Sequence, residues 1–279
     1  MSCSIRCPSQ QPLPLAAVAD VVTGTVGVMT DDEWIDVLAT AAAAVRDELS
    51  AFQDLHAKGE RPDQYAFDLA ADARVLEIVE PTGAGTFSEE SGVRPGLTDE
   101  LVVIDPVDGS TNASRHIPHY NTSLAVLDDD GVRVALVINQ ATGERFQAIR
   151  GRGATLDGQP LRVSDCRRLS DAIVIVNGLP ERHLGWAQYR CNGAAALDVA
   201  YVGAARGDAF VDTVSQLGLW DYAAGHLIAL EAGAVAAELD GLEPLHRDHD
   251  GRRGMVYAAT PELLDELLTA CRPERGRHD

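Results

Sequence analysis

Two acidic residues stand close together in the stretch Leu101 to Asn112, which reads LVVIDPVDGSTN. Asp105 follows four aliphatic residues, and Asp108 comes three positions later. Two carboxylates at this spacing around a turn can converge on one point, and hard divalent cations such as Mg²⁺ prefer such oxygen ligands. Gly109 allows the backbone to approach a ligand closely, and free N–H groups from Gly109 to Thr111 could bind a phosphate. The stretch therefore indicates metal-assisted phosphate chemistry.

The residues before the turn must position these acids. The aliphatic run 101–104 predicts a buried strand that delivers Asp105 into a Pro-containing turn. Asp-Pro and Asp-Gly are also ordinary turn dipeptides, so this motif alone fits a purely structural turn about equally well. The rest of the chain has to decide between the two.

Apolar periodicity predicts the elements on either side. Thr30-Asp31-Asp32-Glu33 has the pattern of a capping box that opens a helix through about residue 57, and a second helix is expected over 66–79. Apolar runs at 121–127, 132–138 and 145–149 predict an antiparallel meander. Further strands are expected at 172–177, 208–211 and 255–259, with helices near 193–202, over 221–232 and from Pro261.

These elements suggest three parts. Residues 1–29 lack periodicity and form a lead-in, residues 30–164 form an N-terminal α+β domain with the metal site, and residues 165–279 form a C-terminal α/β domain that completes it.

Composition narrows the class of protein. The 279 residues include 23 basic and 43 acidic ones, a formal net charge of −20, which disfavours binding to nucleic acid or anionic membranes. No apolar run has transmembrane length, and no signal-peptide pattern opens the chain. The five scattered cysteines suggest reduced thiols. We expect a cytoplasmic protein with no nucleic-acid or membrane partner.

Three ordered motifs carry a resemblance to a known family. D-P-V-D-G-S-T-N, the upstream Phe87-Ser88-Glu89-Glu90-Ser91 and the downstream W-D-Y-A-A-G from Trp220 to Gly225 resemble the signatures of the inositol monophosphatase superfamily of magnesium-dependent phosphomonoesterases. The resemblance covers the chain from about Asp72 to the C-terminal helix. It implies the layered α-β-α-β-α sandwich of the inositol monophosphatase and fructose bisphosphatase type.

The resemblance also implies roles for individual residues. The implied metal ligands are Glu89, Asp105, the Val107 carbonyl, Asp108 and Asp221. Glu89 and Ser110 would orient and deprotonate the attacking water, with Asp72 fixing the Ser110 hydroxyl, although Asp68 is a competing candidate for that contact. Gly109, Ser110 and Thr111 would bind the phosphate, and Gly193, Ala194 and Asp212 would face the alcohol half of the substrate.

Several positions depart from the family pattern. Ser110 stands where Thr is usual, which keeps the hydroxyl. The segment between Asn177 and Gly193 is shorter than usual, and Asp212 stands near the position of a common Glu but farther from Asp221. The stretch His246-Arg247-Asp248-His249 lacks the ligand spacing of a zinc site and is expected to be a solvated loop.

The implied activity is hydrolysis of a small polyol or sugar-type monophosphate with two or three Mg²⁺ ions, for which Mn²⁺ is a possible substitute. The resemblance also implies a homodimer acting on a small phosphorylated metabolite. Two alternatives stay open: a histidinol-phosphate or nucleotide phosphatase of the same family, and a non-catalytic metal-binding regulatory relative.

Overall fold

The computed structural model describes residues 29–61 and 64–272, so the predicted lead-in lies outside the described residues except for Met29. The helices are α1 (Asp31–Ala51), α2 (Ala66–Val79), α3 (Ser110–Ser114), α4 (Ala195–Gly203), α5 (Leu219–Glu231) and α6 (Pro261–Cys271). The strands of the first sheet are β1 (Gly85–Ser88), β2 (Gly92–Arg94), β3 (Leu101–Asp108), β4 (Asn121–Asp128), β5 (Gly131–Asn139), β6 (Arg145–Ile149), β7 (Gly153–Leu156) and β8 (Gln159–Pro160). Those of the second are β9 (Ile173–Asn177), β10 (Gln188–Arg190), β11 (Ala209–Asp212), β12 (Val235–Glu238) and β13 (Met255–Ala258).

Helix α1 begins at the predicted capping box. The Glu33 N–H donates to the Thr30 hydroxyl oxygen at 3.3 Å, and the Thr30 N–H donates to the Glu33 carboxylate at 2.8 Å. A cap of this kind is worth about 1 kcal/mol. The helix ends at Ala51, earlier than predicted, where Phe52 turns to extended backbone. The Asp54 carboxylate then accepts the His56 N–H at 2.9 Å, and such a local turn competes with helix continuation.

Strand β3 lies in the interior of the first sheet and is buried along its whole length. The sheet has the order β2-β1-β3-β4-β5-β6-β7-β8, with β1 and β3 parallel and the other pairs antiparallel. Because side chains alternate along a strand, Val102 and Ile104 pack against α1 and α2, whereas Leu101 and Val103 pack toward α4 and α5. One strand thus contributes to two cores.

The second sheet repeats this two-faced arrangement. Its order is β10-β9-β11-β13-β12, and β10, β9 and β11 run parallel. Ile175 and Phe210 face α4 and α5, while Val174 and Val211 face α6. The layers are therefore helix, eight-stranded sheet, helix, five-stranded sheet and helix, which confirms the α-β-α-β-α sandwich.

Some elements differ from the expectation. The strands that were not predicted are β2, β7, β8, β10 and β12. They are short, and β2, β8 and β10 are largely exposed, so that apolar alternation is weak. Helix α5 begins at Leu219, so Asp221 lies inside its first turn instead of opening it. The division near residue 164 stays a prediction. Within the described ranges, none of the helices combines the length and apolarity needed to cross a bilayer.

Candidate active site

Asp105 and Asp108 both lie on β3, and an irregularity in the strand lets their side chains meet. Asp105 is opposite Ser123 on β4, and Asp108 is opposite Asn121. An interval of three residues on β3 is therefore paired with an interval of two residues on β4. In a regular strand, residues three apart point to opposite faces of the sheet. A bulge resets this alternation, and the two carboxylates converge although their spacing is odd.

Asp221 joins them from the first turn of α5. One carboxylate oxygen from each of Asp105, Asp108 and Asp221 lies within 4.8 Å of the other two. Asp105 is 1% exposed, and neither of its carboxylate oxygens has a hydrogen-bond partner among the described residues. A buried carboxylate without a donor is costly unless a cation binds it. The donor set of hard oxygens fits a divalent cation such as Mg²⁺.

The pKa values of these acids reflect burial and mutual repulsion. Burial raises the pKa of Asp221 to about 8, with the charge of Asp108 as the next cause. Burial and the charge of Glu89 hold the pKa of Asp105 well above its usual range. The pKa of Asp108 rises only to about 6, because hydrogen bonds from Asn121, Ala196 and Ala195 oppose its burial. Such a cluster cannot ionise fully without a counter-charge, which a metal ion supplies.

Asp108 also connects the first sheet to helix α4. Its carboxylate accepts the N–H groups of Ala195 at 3.1 Å and Ala196 at 2.8 Å, in the first turn of α4, and the Asn121 side-chain amide at 2.7 Å. A carboxylate at a helix N-terminus satisfies otherwise unpaired N–H groups and the helix dipole. Asp108 therefore anchors α4 as well as facing the cluster.

Glu89 lies immediately after β1, beside β3. Its N–H donates to the Ile104 carbonyl at 3.1 Å, which places Glu89 next to Asp105 in the sheet. Glu89 is not one of the three acids within 4.8 Å, but burial and the charge of Asp221 hold its pKa well above the usual range. The neighbouring Glu90 pairs with Arg61 at 2.8 Å instead.

The acid beside Ser110 is Asp68, which corrects the assignment of Asp72. The Ser110 hydroxyl lies 2.8 Å from Asp68 Oδ1 and 2.7 Å from the Val107 carbonyl oxygen. Asp72 lies four residues, or about 6 Å, farther along α2 and accepts the Ser88 hydroxyl hydrogen instead. Burial raises the pKa of Asp68 to about 7, although the Tyr65 N–H and Ser110 oppose the shift.

The predicted substrate-binding backbone comes together at Gly109. Gly109 has φ +86°, and a Cβ placed there would lie 3.0 Å from Ala194 Cβ and 3.1 Å from the Gly193 carbonyl oxygen. Only glycine permits this approach without strain. Thr111 is exposed in α3 directly after Ser110. The structure thus brings residues of the two predicted domains within contact distance.

Asp212 does not fit the expected role of binding a substrate hydroxyl. It is buried at the end of β11, and its carboxylate accepts the N–H groups of Val214 at 3.1 Å and Gln216 at 2.9 Å and the Asn177 amide at 3.2 Å. These three hydrogen bonds occupy the carboxylate oxygens and stabilise the loop before α5. The longer spacing to Asp221 in the sequence accommodates this loop.

Sequence reasoning missed two asparagines and one histidine around the site. Asn121 holds Asp108, and the Asn112 amide donates to the His119 carbonyl at 2.7 Å and the Asn192 carbonyl at 2.8 Å. Asn112 ends the D-P-V-D-G-S-T-N motif, which is the signal that could have found it. His249 is half-buried against Trp220, whereas Arg247 and Asp248 of the same loop are exposed as expected.

Comparisons with known proteins agree with this fold. A model of the inositol monophosphatase family matches residues 32–276. The Nus factor SuhB of Escherichia coli strain K12 is 34% identical over 228 residues, 74% of this chain and 81% of that protein. The solved extragenic suppressor protein SuhB of Bartonella henselae has a TM-score of 0.75 and 26% identity, covering 86% of this chain and 98% of its own. Inositol monophosphatase from Anabaena has a TM-score of 0.72 and 25% identity, covering 86% and 95%.

The five-layered fold and the cluster of acids define a class of layered α/β proteins with a candidate metal-binding site. The chain belongs to the inositol monophosphatase family.

Proposed function

We infer that the chain is a magnesium-dependent phosphomonoesterase that hydrolyses a small polyol or sugar-type monophosphate. The observation that carries this inference is Asp105, a buried carboxylate with both oxygens unpartnered, within 4.8 Å of Asp108 and Asp221. A buried carboxylate without a hydrogen-bond partner is costly by itself and fits a cation. Family membership supports the reaction class.

The residues that would hold Mg²⁺ are Glu89, Asp105, the Val107 carbonyl, Asp108 and Asp221, and Mn²⁺ is expected to substitute. Two or three bound ions would neutralise the phosphate and favour ionisation of the attacking water. Glu89 accepts a proton from that water. Ser110 orients it through a hydroxyl that Asp68 holds at 2.8 Å. In this role Asp68 replaces Asp72.

Binding of the substrate would use the backbone around Gly109. The N–H groups of Gly109, Ser110 and Thr111 lie at the start of α3, where they lack partners within the helix. Gly193 and Ala194 contact this turn from the other predicted domain and would face the alcohol half of the substrate. The substrate is a small phosphorylated metabolite, which the protein would meet as a cytoplasmic homodimer.

The test is release of inorganic phosphate from a panel of monophosphates in Mg²⁺ and in chelator. The panel contains inositol phosphates, histidinol phosphate, sugar phosphates, and 3′- and 5′-nucleotides. Chelator-sensitive release from a polyol or sugar phosphate is expected. Preference for histidinol phosphate or a nucleotide would keep the reaction and replace the substrate class.

A second candidate function is regulatory. It rests on relatives such as the Escherichia coli protein at 34% identity that are named Nus factor SuhB. A chain acting only in this way would bind Mg²⁺ and release no phosphate from any member of the panel. The presence of Asp68 beside Ser110 favours catalysis, because metal binding alone does not need a positioned hydroxyl.

A further inference from the structure

Ser88 lies immediately before Glu89 and is bound from both sides. Its hydroxyl donates to Asp72 on α2 and also accepts the Glu90 N–H at 3.1 Å. Its carbonyl oxygen lies 2.8 Å from Nε2 of His249, in the loop between β12 and β13. Because a carbonyl oxygen can only accept, Nε2 carries the hydrogen and donates it. The backbone at Glu89 is therefore fixed by residues from both halves of the chain.

The His249 ring makes a second connection. Its centroid lies 4.7 Å from that of Trp220 and 5.2 Å from that of Phe87. Trp220 directly precedes Asp221, and Phe87 is two residues before Glu89. Arg252, from the same loop, places its guanidinium 5.0 Å from the Trp220 ring centroid. The loop thus lies against the end of β1 and the start of α5 at the same time.

We propose that His249 is a positioning residue of the metal site, which holds the Glu89 end of β1 against the Asp221 turn of α5. The proposal rests on the proposed function, because it concerns the same acids. Glu89 follows a strand of the first sheet and Asp221 lies on α5 in the next layer, and burial together with the charge of Asp221 raises the pKa of Glu89. The two segments must therefore be held together, despite this repulsion, when no metal is bound. His249 does so with one hydrogen bond to Ser88 and one ring contact to Trp220.

The position of His249 resembles that of residues that orient metal ligands from outside the ligand set, whose removal typically costs 10–100-fold in metal affinity or activity. His249 itself does not belong to the cluster of possible ligands in the described part of the chain. Its Nε2 donates a hydrogen bond to the Ser88 carbonyl oxygen. Its role is therefore geometric.

The experiment measures Mn²⁺ affinity of the full-length protein without substrate, by electron paramagnetic resonance of free Mn²⁺. His249→Phe keeps the ring contact and removes the donor, whereas His249→Gln keeps a donor of similar reach. The matched control is His183→Phe. His183 is exposed, and its ring centroid lies 5.1 Å from that of Trp186 in a tilted arrangement. Melting of each protein in chelator reports on the fold.

We expect His249→Phe to weaken Mn²⁺ binding by about tenfold. His249→Gln should recover most of the affinity, and the control should match wild type. Unchanged affinity in His249→Phe, even with a lower melting temperature, would assign His249 a structural role and overturn the proposal.

If His249→Phe does not fold, His249→Asn replaces it, because its amide is too short to reach Ser88. Equal Mn²⁺ affinity in the Asn and Gln variants then overturns the proposal. A wild-type protein that binds no Mn²⁺ would overturn both this proposal and the proposed function, whereas a binding wild type with unaffected variants overturns this proposal alone.

Discussion

The carboxylate of Asp68 lies 2.8 Å from the hydroxyl of Ser110, although the two residues are 42 positions apart in the chain. This contact joins the first turn of α2 to the turn after β3. It also distinguishes two acids on the same helix that have otherwise similar burial.

Replacing these two acids should therefore have different effects. Asp68→Asn is expected to lower kcat by about 10–100-fold, the usual cost of removing a residue that orients a group at a metal site, with Mn²⁺ affinity close to wild type. Asp72→Asn should lower Mn²⁺ affinity more than kcat at saturating metal, because Asp72 contacts Ser88 beside Glu89. Steady-state kinetics at several Mg²⁺ concentrations separate the two effects. Equal losses of kcat in both variants would contradict the assignment.

Asp105→Asn should abolish Mg²⁺-dependent phosphate release and strongly weaken Mn²⁺ binding. It should also raise the melting temperature in chelator, since it replaces a carboxyl whose ionisation is opposed by burial and by the neighbouring acids. The matched control is Asp129→Asn in the exposed turn between β4 and β5, which should change neither quantity. Turnover of Asp105→Asn near the wild-type rate would show that Asp105 is not part of the active site.

The metal-free protein should lose stability as the pH rises. The pKa of Asp108 is raised from 3.8 to about 6 and that of Asp221 to about 8, so the folded state binds more protons than the unfolded state in this range. The free energy of unfolding should be highest below the unfolded-state pKa and should fall up to about pH 8. Mg²⁺ should remove most of this fall because it binds only the folded protein. Melting curves from about pH 4 to about pH 8.5, with chelator or Mg²⁺, test the sign. A flat chelator profile would contradict it.

Gly109→Ala tests the close approach of the two halves. The residue has φ +86°, and the added methyl would lie 3.0 Å from Ala194 Cβ. Gly143→Ala is the matched control, because Gly143 has φ +82° and no atom within 4 Å of the added Cβ. Backbone strain should cost each variant about 1–3 kcal/mol in denaturant unfolding. Gly109→Ala should in addition raise KM for the substrate, whereas Gly143→Ala should leave it unchanged. Equal KM values in the Gly109→Ala and Gly143→Ala variants would show that Gly109 does not contribute to substrate binding.

The sequence predicted best those features that depend on residues close together in the chain. Helix α2 has the predicted bounds because its apolar spacing is the spacing of its buried face. The convergence of Asp105 and Asp108 was also predicted, although the strand bulge that produces it was not. Chain geometry around one turn was sufficient for that inference.

Contacts between distant segments were harder to predict. Asp68 and Asp72 lie on one face of α2, so periodicity cannot tell which of them reaches Ser110. The choice depends on how far along its axis the helix is placed against β3, which is set by tertiary packing. His249 was missed for a similar reason: a polar loop sequence does not reveal that Trp220 and Ser88 will lie beside it.

The division of the acids between distant parts of the chain affects biosynthesis. Asp105 and Asp108 leave the ribosome together, whereas Asp221 follows only after the first sheet and part of the second have been synthesised. A growing chain therefore carries an incomplete centre until α5 has emerged and packed. A product that terminates before α5 would keep Asp105 and Asp108 and lack Asp221. If the chain binds Mg²⁺ as proposed, molecules that include α5 would be stabilised by the ion, and molecules that end before α5 would not.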